Sequence, residues 1–440
     1  MNITIELNDN YFEEKKYIFS VLFEDYLDLK VKYNIINEHI FRIILPNSKK
    51  IIINDIFFAS KKDIYSWVKS DVPKVNFETE VNLNKQHKLF GLYGKSEKVI
   101  NDNNISIHND IIGTSFIFLS RIEELNGNHD KFGRYKYKGS LAHKFNIILR
   151  PIINEYIYFL KDAINTLYPN YQIKSNKFEV ILSHDIDIIK KWTIKKLVKK
   201  SVLEFGSFKF FKNYYDFVKS LINIKNDPYF NFERIMDYSE QNNLKSLFFF
   251  MCLEKNEYDF RYNINEVQDA IKETSFRNHY IGIHSSRLAY NDNLILKKEI
   301  NRLEKINSEV IYNRNHYLMF DVKNTWQILD SNNIKYDLTL GYPEMIGFRC
   351  GICSPFRVFD IINKKKLNLI EIPLTIMDVT LKDYMNDVKP GKLEKMIFKV
   401  IDNTKKYGGT LNLLWHNNSY SDYKNSSHDD LLKKIIERIK

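Results

Sequence analysis

The stretch Leu182-Ser183-His184-Asp185-Ile186-Asp187-Ile188 decides the fold and points to the chemistry of this chain. It continues an apolar run that begins at Val180, which predicts a buried strand. Because alternate residues of a strand point to the same side, Asp185 and Asp187 should project together from the carboxyl edge of a sheet, where α/β folds place their sites. Two neighbouring carboxylates repel each other, so a metal, a proton or a cationic side chain must neutralise them. The alternative is a pair of helix N-caps or a solvated turn.

From residue 178 onward the chain alternates strand-like and helix-like segments. Apolar runs at 247–251, 280–283 and 411–414 predict buried strands, and helical spacing over 393–401 ends at Gly408-Gly409. This alternation predicts an α/β domain over 178–440 with a parallel sheet, open or closed into a barrel. Short strand-like runs and Asn-rich turns predict a smaller α+β domain of unknown role over 1–135, followed by a connecting helix region over 136–177.

Composition narrows the class of protein. The chain has 440 residues, of which 44% are hydrophobic, so it can form two domains with a substantial core. No apolar run approaches the roughly 20 residues that span a bilayer, and the N-terminus lacks a signal-peptide pattern, so we expect a cytoplasmic protein. Only three cysteines are present, which fits a reducing compartment. Cys350 and Cys353 form a single C-x-x-C pair, which we interpret as core residues and not as a zinc site.

The net charge of +11 is spread over a chain rich in Lys, Asn and Ile, so it is a weak indication of nucleic-acid binding. We find no zinc-finger, RNA-binding or helix-turn-helix signature and expect no nucleic-acid partner. The insert 190–225 is different, because ten lysines alternate there with aromatic residues. It could contact a membrane surface or an anionic glycan. An amphipathic lid with a solvated lysine face is the alternative that we favour.

Further polar residues follow the other predicted strands. His284 ends the strand at 280–283, His416 follows the strand at 411–414, and Arg314 and His316 follow a strand-like Val310-Ile311. A single histidine at a strand end usually makes a local hydrogen bond, and His416 beside Trp415 could be only a packed strand end. Several polar groups at one edge of a parallel sheet indicate a functional site.

These motifs, in this order, resemble the polysaccharide deacetylase (NodB-homology) superfamily, carbohydrate esterase family four. The resemblance implies a distorted (β/α) seven-stranded barrel that binds a divalent metal, with zinc expected and cobalt, nickel or manganese as alternatives. It implies Asp185 as the catalytic base, Asp187 and His284 as metal ligands, His416 as the acid, and Arg314 as the residue that orients the base. The segments 115–121 and 341–351 are similar to a bacterial subfamily that has an extra N-terminal domain and is often assigned to surface-glycan synthesis.

One residue departs from the family pattern. The second motif of the family is His-x-x-x-His, but Leu288 stands four residues after His284. A zinc site normally uses three protein ligands plus water, so another ligand is needed. His316 could supply it, and a structural role for His316 is an equal alternative.

The resemblance implies a hydrolase that removes an N-acetyl or related acyl group from a sugar of a surface-glycan precursor. We expect a carbohydrate substrate, with a lipid-linked precursor as one form of it. The alternatives are a metal-independent amidase on the same fold, which Leu288 favours, and a catalytically silent glycan-binding protein. The sequence leaves the oligomeric state open.

Overall fold

A computed structural model describes residues 1–60, 63–66, 73–173, 176–191, 197–198, 208–420 and 427–440. Two compact units are present. The first comprises Met1–Glu179, Leu318–Thr375 and Asp387–Leu411, and the second comprises Val180–Tyr317, Ile376–Asn386 and Asn412–Lys440. Across the described ranges, we see no helix with the length and apolar character needed to cross a membrane.

The N-terminal part of the chain forms a mixed six-stranded sheet and a separate antiparallel pair. The six strands lie in the order β2-β1-β3-β4-β8-β7, and β5 pairs with β6. Apolar side chains alternate inward along these strands, as Ile3, Ile5 and Leu7 do in β1, and so form one side of a core. The strands are β1 (Asn2–Leu7), β2 (Lys30–Ile35), β3 (Ile40–Ile44), β4 (Lys50–Asn54), β5 (Phe77–Asn82), β6 (Gln86–Gly91), β7 (Gly94–Ile100) and β8 (Asn104–Asn109).

The remaining strands form a nine-stranded sheet that curls as a half-barrel, in the order β14-β15-β13-β12-β11-β10-β9-β17-β16. The predicted α/β class is therefore observed, but the predicted seven-stranded barrel is not. The strands are β9 (Glu179–Ile186), β10 (Ser246–Phe250), β11 (Tyr280–Ser285), β12 (Tyr312–Asn315), β13 (Tyr336–Asp337), β14 (Phe356–Asp360), β15 (Lys365–Glu371), β16 (Ile376–Met377) and β17 (Thr410–Leu414). The antiparallel hairpin of β14 and β15 adds strands that a strand-helix alternation does not predict.

Helices occupy most of the segments between these strands. The helix predicted over 393–401 is confirmed, and its apolar residues Ile397, Val400 and Ile401 are buried. It is followed by Gly408, whose positive φ of 59° is the left-handed conformation that ends many helices. The helices are Phe12–Phe19, Phe57–Ser60, Ile111–Leu119, Leu141–Lys144, Ile152–Leu167, Phe208–Ile222, Phe232–Gln241, Gln268–Phe276, Asn293–Glu304, Thr325–Ser331, Pro390–Lys406 and Ser427–Ile439.

The parallel strands of the second unit position its polar residues. Strand β10 pairs in parallel with β9 and with β11, and β11 pairs in parallel with β12. The carboxyl ends of these strands therefore lie at the same edge of the sheet. The residues that end β9, β11 and β12 are the ones that the sequence identified as candidates. The predicted domain boundaries at 135 and 177 stay predictions.

Candidate metal centre and active site

Asp185 in β9 and Asp187, one residue past the end of β9, project to the same side, and His184, which precedes Asp185, projects to the other. The ring of His184 is buried, with Nδ1 2.7 Å from the carbonyl oxygen of Trp415 and Nε2 2.9 Å from the hydroxyl of Ser246. Burial lowers the pKa of His184 to about 4, so its ring is neutral and structural. Asp185 and Asp187 lie together on the opposite side, as strand geometry predicts.

Asp187, His284 and His316 form a cluster whose ligand atoms all lie within 4.8 Å of one another. The Nε2 atoms of His284 and His316 are 3.2 Å and 3.5 Å from Oδ1 of Asp187. In the described part of the chain, this Oδ1 is a buried atom without a hydrogen-bond partner. A buried oxygen that faces two ring nitrogens is the donor set that a divalent transition metal prefers.

The other nitrogen of each imidazole is held by an acceptor, which fixes the orientation of the ring. Nδ1 of His284 donates to the carbonyl oxygen of Arg314 at 2.8 Å. Nδ1 of His316 lies 2.5 Å from Oδ2 of Asp259. Because carbonyl and carboxylate oxygens accept hydrogen bonds, both Nε2 atoms present their lone pairs toward Asp187 when the rings are neutral. The residues present therefore fit a divalent metal with three protein ligands.

The charges of the cluster also fit a bound cation. Burial raises the pKa of Asp187, but His316, His284 and His416 outweigh that effect and lower it well below the usual range. Burial also lowers the pKa of His284, but Asp185 and Asp187 outweigh that effect and raise it. The centre therefore concentrates negative charge that attracts protons or a cation.

Asp185 lies beside the cluster and is held by a buried arginine. Nη1 of Arg314 donates to Oδ1 of Asp185 at 2.9 Å and also to the hydroxyl of Ser183 at 2.9 Å. Nη2 of Arg314 donates to the amide oxygen of Asn412 at 3.2 Å. The guanidinium carbon is 4.6 Å from the centre of the Phe249 ring. A charge-assisted hydrogen bond of this kind fixes the orientation of the carboxylate.

His416 lies on the other side of Asp187, with its Nε2 3.8 Å from Oδ2 of Asp187. Its Nδ1 lies 2.6 Å from Oδ1 of Asp378, and Asp378 also accepts from the backbone N–H of His416 and the hydroxyl of Ser419. Burial lowers the pKa of His416, but Asp378, Asp187 and Asp185 outweigh that effect and raise it to about 10. A protonated imidazole is the form that can give a proton to a leaving group.

The structure brings together all six residues that the sequence nominated, namely Asp185, Asp187, His284, Arg314, His316 and His416. Leu288 is 46% exposed and follows β11 in the chain, so the usual position of the second motif histidine contributes no ligand here. The sequence did not identify Asp259, which lies in an irregular loop. Asp378 directly follows β16 and obeys the same strand-end rule, which is the signal that could have identified it.

Comparisons with known proteins assign no function. A family model described as "Family of unknown function (DUF7033)" matches residues 3–169. A search of curated proteins finds no match. Among solved structures, a candidate polysaccharide deacetylase from Mycobacterium smegmatis is 14% identical with a TM-score of 0.39, over 60% of this chain and 85% of that chain. A mutant of a CE4 family pseudoenzyme is 14% identical with a TM-score of 0.31, over 60% of this chain and 64% of that chain.

At this level of identity the similarity concerns the fold alone. The extra N-terminal domain stays a prediction, because the model that matches this region carries no function.

Proposed function

We propose that this protein is a metal-dependent hydrolase that removes an N-acetyl or related acyl group from a sugar of a surface-glycan precursor. The observation that carries the proposal is the cluster of Asp187, His284 and His316 with a carboxylate on one side and an imidazole on the other. Asp185 reaches within 3.8 Å of His284, and His416 reaches within 3.8 Å of Asp187. A base, an acid and a cation site around one point are the groups that amide hydrolysis needs.

The base is assigned to Asp185. A divalent cation held by Asp187, His284 and His316 would, when bound, polarise the acyl carbonyl and lower the pKa of nearby water. Asp185 takes a proton from the water as its oxygen attacks the carbonyl carbon. Arg314 fixes the carboxylate through Oδ1, which leaves Oδ2 to accept the proton.

The acid is assigned to His416. As the carbon–nitrogen bond breaks, Nε2 of His416 gives its proton to the amine, and the products are the free carboxylic acid and the amino sugar. Asp378 stabilises the imidazolium before this transfer and holds Nδ1 protonated after it. Two proton transfers of opposite direction therefore use two residues on opposite sides of Asp187.

The metal-independent alternative was motivated by Leu288. Because His316 lies 3.5 Å from Asp187 with its other nitrogen bound by Asp259, a third ligand is available from another strand end. We therefore prefer the metal-dependent mechanism. A catalytically silent glycan-binding protein would bind the sugar without needing the base Asp185. The effect of removing Asp185 therefore distinguishes the hydrolase from the silent binding protein.

The experiment combines metal content with hydrolysis. The purified protein is offered zinc, cobalt, nickel and manganese, the excess is removed, and metal content and acetate release from N-acetylated oligosaccharides are measured. We expect about one metal per chain, its loss in His316→Ala, and loss of hydrolysis with the metal retained in Asp185→Asn. Asp269→Asn, an exposed change on the helix Gln268–Phe276, is the control. Wild-type hydrolysis in Asp185→Asn would refute the base, and hydrolysis without metal would support the amidase.

We further propose that the substrate is lipid-linked and that the helix Phe208–Ile222 of the insert 190–225 contacts an anionic membrane surface, which is the alternative to the lid favoured by the sequence. Much of this insert lies outside the described residues, but the helix Phe208–Ile222 is described. Phe211, Tyr214 and Val218 are exposed at helical spacing, as are Leu221 at 69% and Ile222 at 80%. An exposed apolar stripe on a lysine-rich segment suits the interface of a bilayer with anionic headgroups.

A further inference from the structure

Two arginines and two tyrosines border the side of the candidate metal centre that His316 forms. Arg261 and Tyr258 come from the loop after β10, Arg287 follows β11, and Tyr317 follows His316. Tyr258 is 59% exposed and Tyr317 38% exposed, while Arg261 is exposed and Arg287 is half-buried. We refer to Tyr258, Arg261, Arg287 and Tyr317 as the rim.

Asp259 connects the rim to the metal centre. Its Oδ2 accepts from Nδ1 of His316 at 2.5 Å and from the backbone N–H of Arg287 at 3.3 Å. Its Oδ1 accepts from Nη2 of Arg261 at 3.1 Å. Asp259 therefore ties the rim to the candidate ligand His316 through hydrogen bonds.

The rim itself contains two guanidinium groups and no carboxylate. The carboxylates beside it, Asp259 and Asp187, face the candidate ligand histidines. Nη2 of Arg261 donates to the hydroxyl of Tyr317 at 3.1 Å, and Nη1 of Arg287 donates to the hydroxyl of Tyr258 at 3.0 Å. Within the described ranges, Nε and Nη1 of Arg261 make no hydrogen bond, so two donors of one guanidinium remain for a ligand.

We propose that the rim binds an anionic group, a phosphate or a carboxylate, carried by the N-acylated sugar. This inference rests on the proposed function for calling that sugar the substrate. A guanidinium presents parallel donors that match the oxygens of phosphate or carboxylate. The exposed ring surfaces of Tyr258 and Tyr317 offer apolar contacts to the sugar that carries the anion. The inference narrows the substrate from any N-acetylated glycan to an anionic one.

Binding is measured in the Asp185→Asn variant, so that no turnover interferes. The probes are N-acetylglucosamine, N-acetylglucosamine 1-phosphate, and an N-acetylated disaccharide that contains a glucuronate. We expect at least one anionic probe to bind about tenfold more tightly than the neutral sugar, and this preference to weaken with added salt. The anionic probe that binds more tightly identifies phosphate or carboxylate as the recognised group.

The rim is tested with Arg261→Gln and Arg287→Gln. Each substitution should weaken binding of the anionic probe about 5- to 20-fold, and it should leave binding of the neutral sugar and the metal content unchanged. Arg261→Lys should recover part of the loss, since the charge is restored without the planar fork. The control is Arg277→Gln, because Arg277 precedes β11 at the opposite end of the strand and pairs with Asp237 and Glu240.

Two results would overturn the inference. One is equal affinity for neutral and anionic probes. The other is an equal loss of both probes in the arginine variants, which would mean that the arginines act only through Asp259 and His316. Hydrolysis of neutral sugars without any preference for the anion would reject the inference and keep the proposed function. An arginine-dependent preference for the anion without hydrolysis of any probe would keep the inference that the rim binds an anion and reject the proposed function.

Discussion

The Nδ1 atom of His316 lies 2.5 Å from Oδ2 of Asp259, and this contact turns the Nε2 atom of the same ring toward Asp187. A carboxylate behind a ligand histidine fixes the tautomer and the orientation of the metal-binding nitrogen. Asp259→Asn should therefore weaken zinc binding about 10- to 100-fold, while His316→Ala should weaken it further.

Zinc affinity in these variants is measured by competition with a chromophoric chelator. The change His108→Ala, on strand β8 of the first unit, should leave the affinity unchanged. If Asp259→Asn bound zinc as tightly as the unaltered protein, the carboxylate would not be orienting a ligand.

Asp378 should matter for catalysis as much as its partner does. Asp378→Asn removes the charge that stabilises the imidazolium of His416, so we expect kcat to fall about 10²- to 10⁴-fold. The metal content should stay near that of the unaltered protein, because Asp378 does not contact the three ligands of the cluster in the described structure. Steady-state kinetics with metal analysis separates the two effects. An unchanged kcat would remove His416 from the mechanism.

Gly282 in β11 packs closely against residues beside the candidate active site. A Cβ at this position would lie 2.5 Å from the ring of Phe249 and 2.9 Å from the carbonyl oxygen of Tyr312. Because the Phe249 ring also contacts the guanidinium of Arg314, Gly282→Ala should destabilise the fold by about 2 kcal/mol and lower hydrolysis.

Urea denaturation measures the stability of this variant. Gly391→Ala is the matched control, because a Cβ there meets no atom within 4 Å. Equal free energies of unfolding in the two variants would contradict the packing role of Gly282.

Glu299 should make stability depend on pH. Its side chain is buried and accepts from the backbone N–H of Ser286 at 2.9 Å and from the hydroxyl of Ser286 at 2.5 Å. Burial raises its pKa to about 7 from an ordinary 4.5. The folded state therefore binds more protons between these values, and stability falls as pH rises through this window, by up to about 1.4 kcal/mol per pH unit.

The change Glu299→Gln should remove this dependence of stability on pH. The free energy of unfolding of the variant, compared with that of the unaltered protein, should therefore be larger at pH 8 than at pH 5. Glu304→Gln, an exposed change on the same helix, should leave the slope as it was. Parallel pH profiles for the unaltered protein and the Glu299→Gln variant would rule out a raised pKa.

The exposed stripe of the helix Phe208–Ile222 predicts binding to anionic vesicles. A double change of Leu221 and Ile222 to Asp removes two apolar side chains and adds two negative charges, so cosedimentation with vesicles containing phosphatidylglycerol should be lost. The control is Leu294→Asp, a change at a residue that is 70% exposed on another helix, and this variant should cosediment with the vesicles as the unaltered protein does. Self-association through the stripe in sizing experiments, without vesicle binding, would instead identify a second copy as the partner.

Much of the site followed from the sequence because strand geometry is local. The buried run before Asp185 and the two-residue repeat were sufficient to place Asp185 and Asp187 on one side and His184 on the other. Parallel pairing then required His284 and Arg314 to meet them, since these residues are register partners in β11 and β12. The sequence thus indicated which strand ends converge.

Other parts could not be predicted, because they depend on long-range contacts. Asp259 has φ of 76° in a loop without periodicity, so nothing local indicates that it binds His316. The apolar run 372–377 is typical of one strand, but β15 ends at Glu371 and β16 begins at Ile376, with Pro373 between them. Proline cannot donate a ladder hydrogen bond, so it separates the two strands.

The order of the candidate site residues along the chain separates the candidate metal ligands and base from the candidate acid. The three candidate ligands, the base and its arginine all lie between residues 185 and 316, whereas His416 and its partner Asp378 lie in the C-terminal portion of the second unit. A point change at Asp378 or His416 would therefore affect the candidate proton donor and leave every candidate metal ligand unaltered. Loss of turnover and loss of metal binding therefore require changes in different parts of the chain.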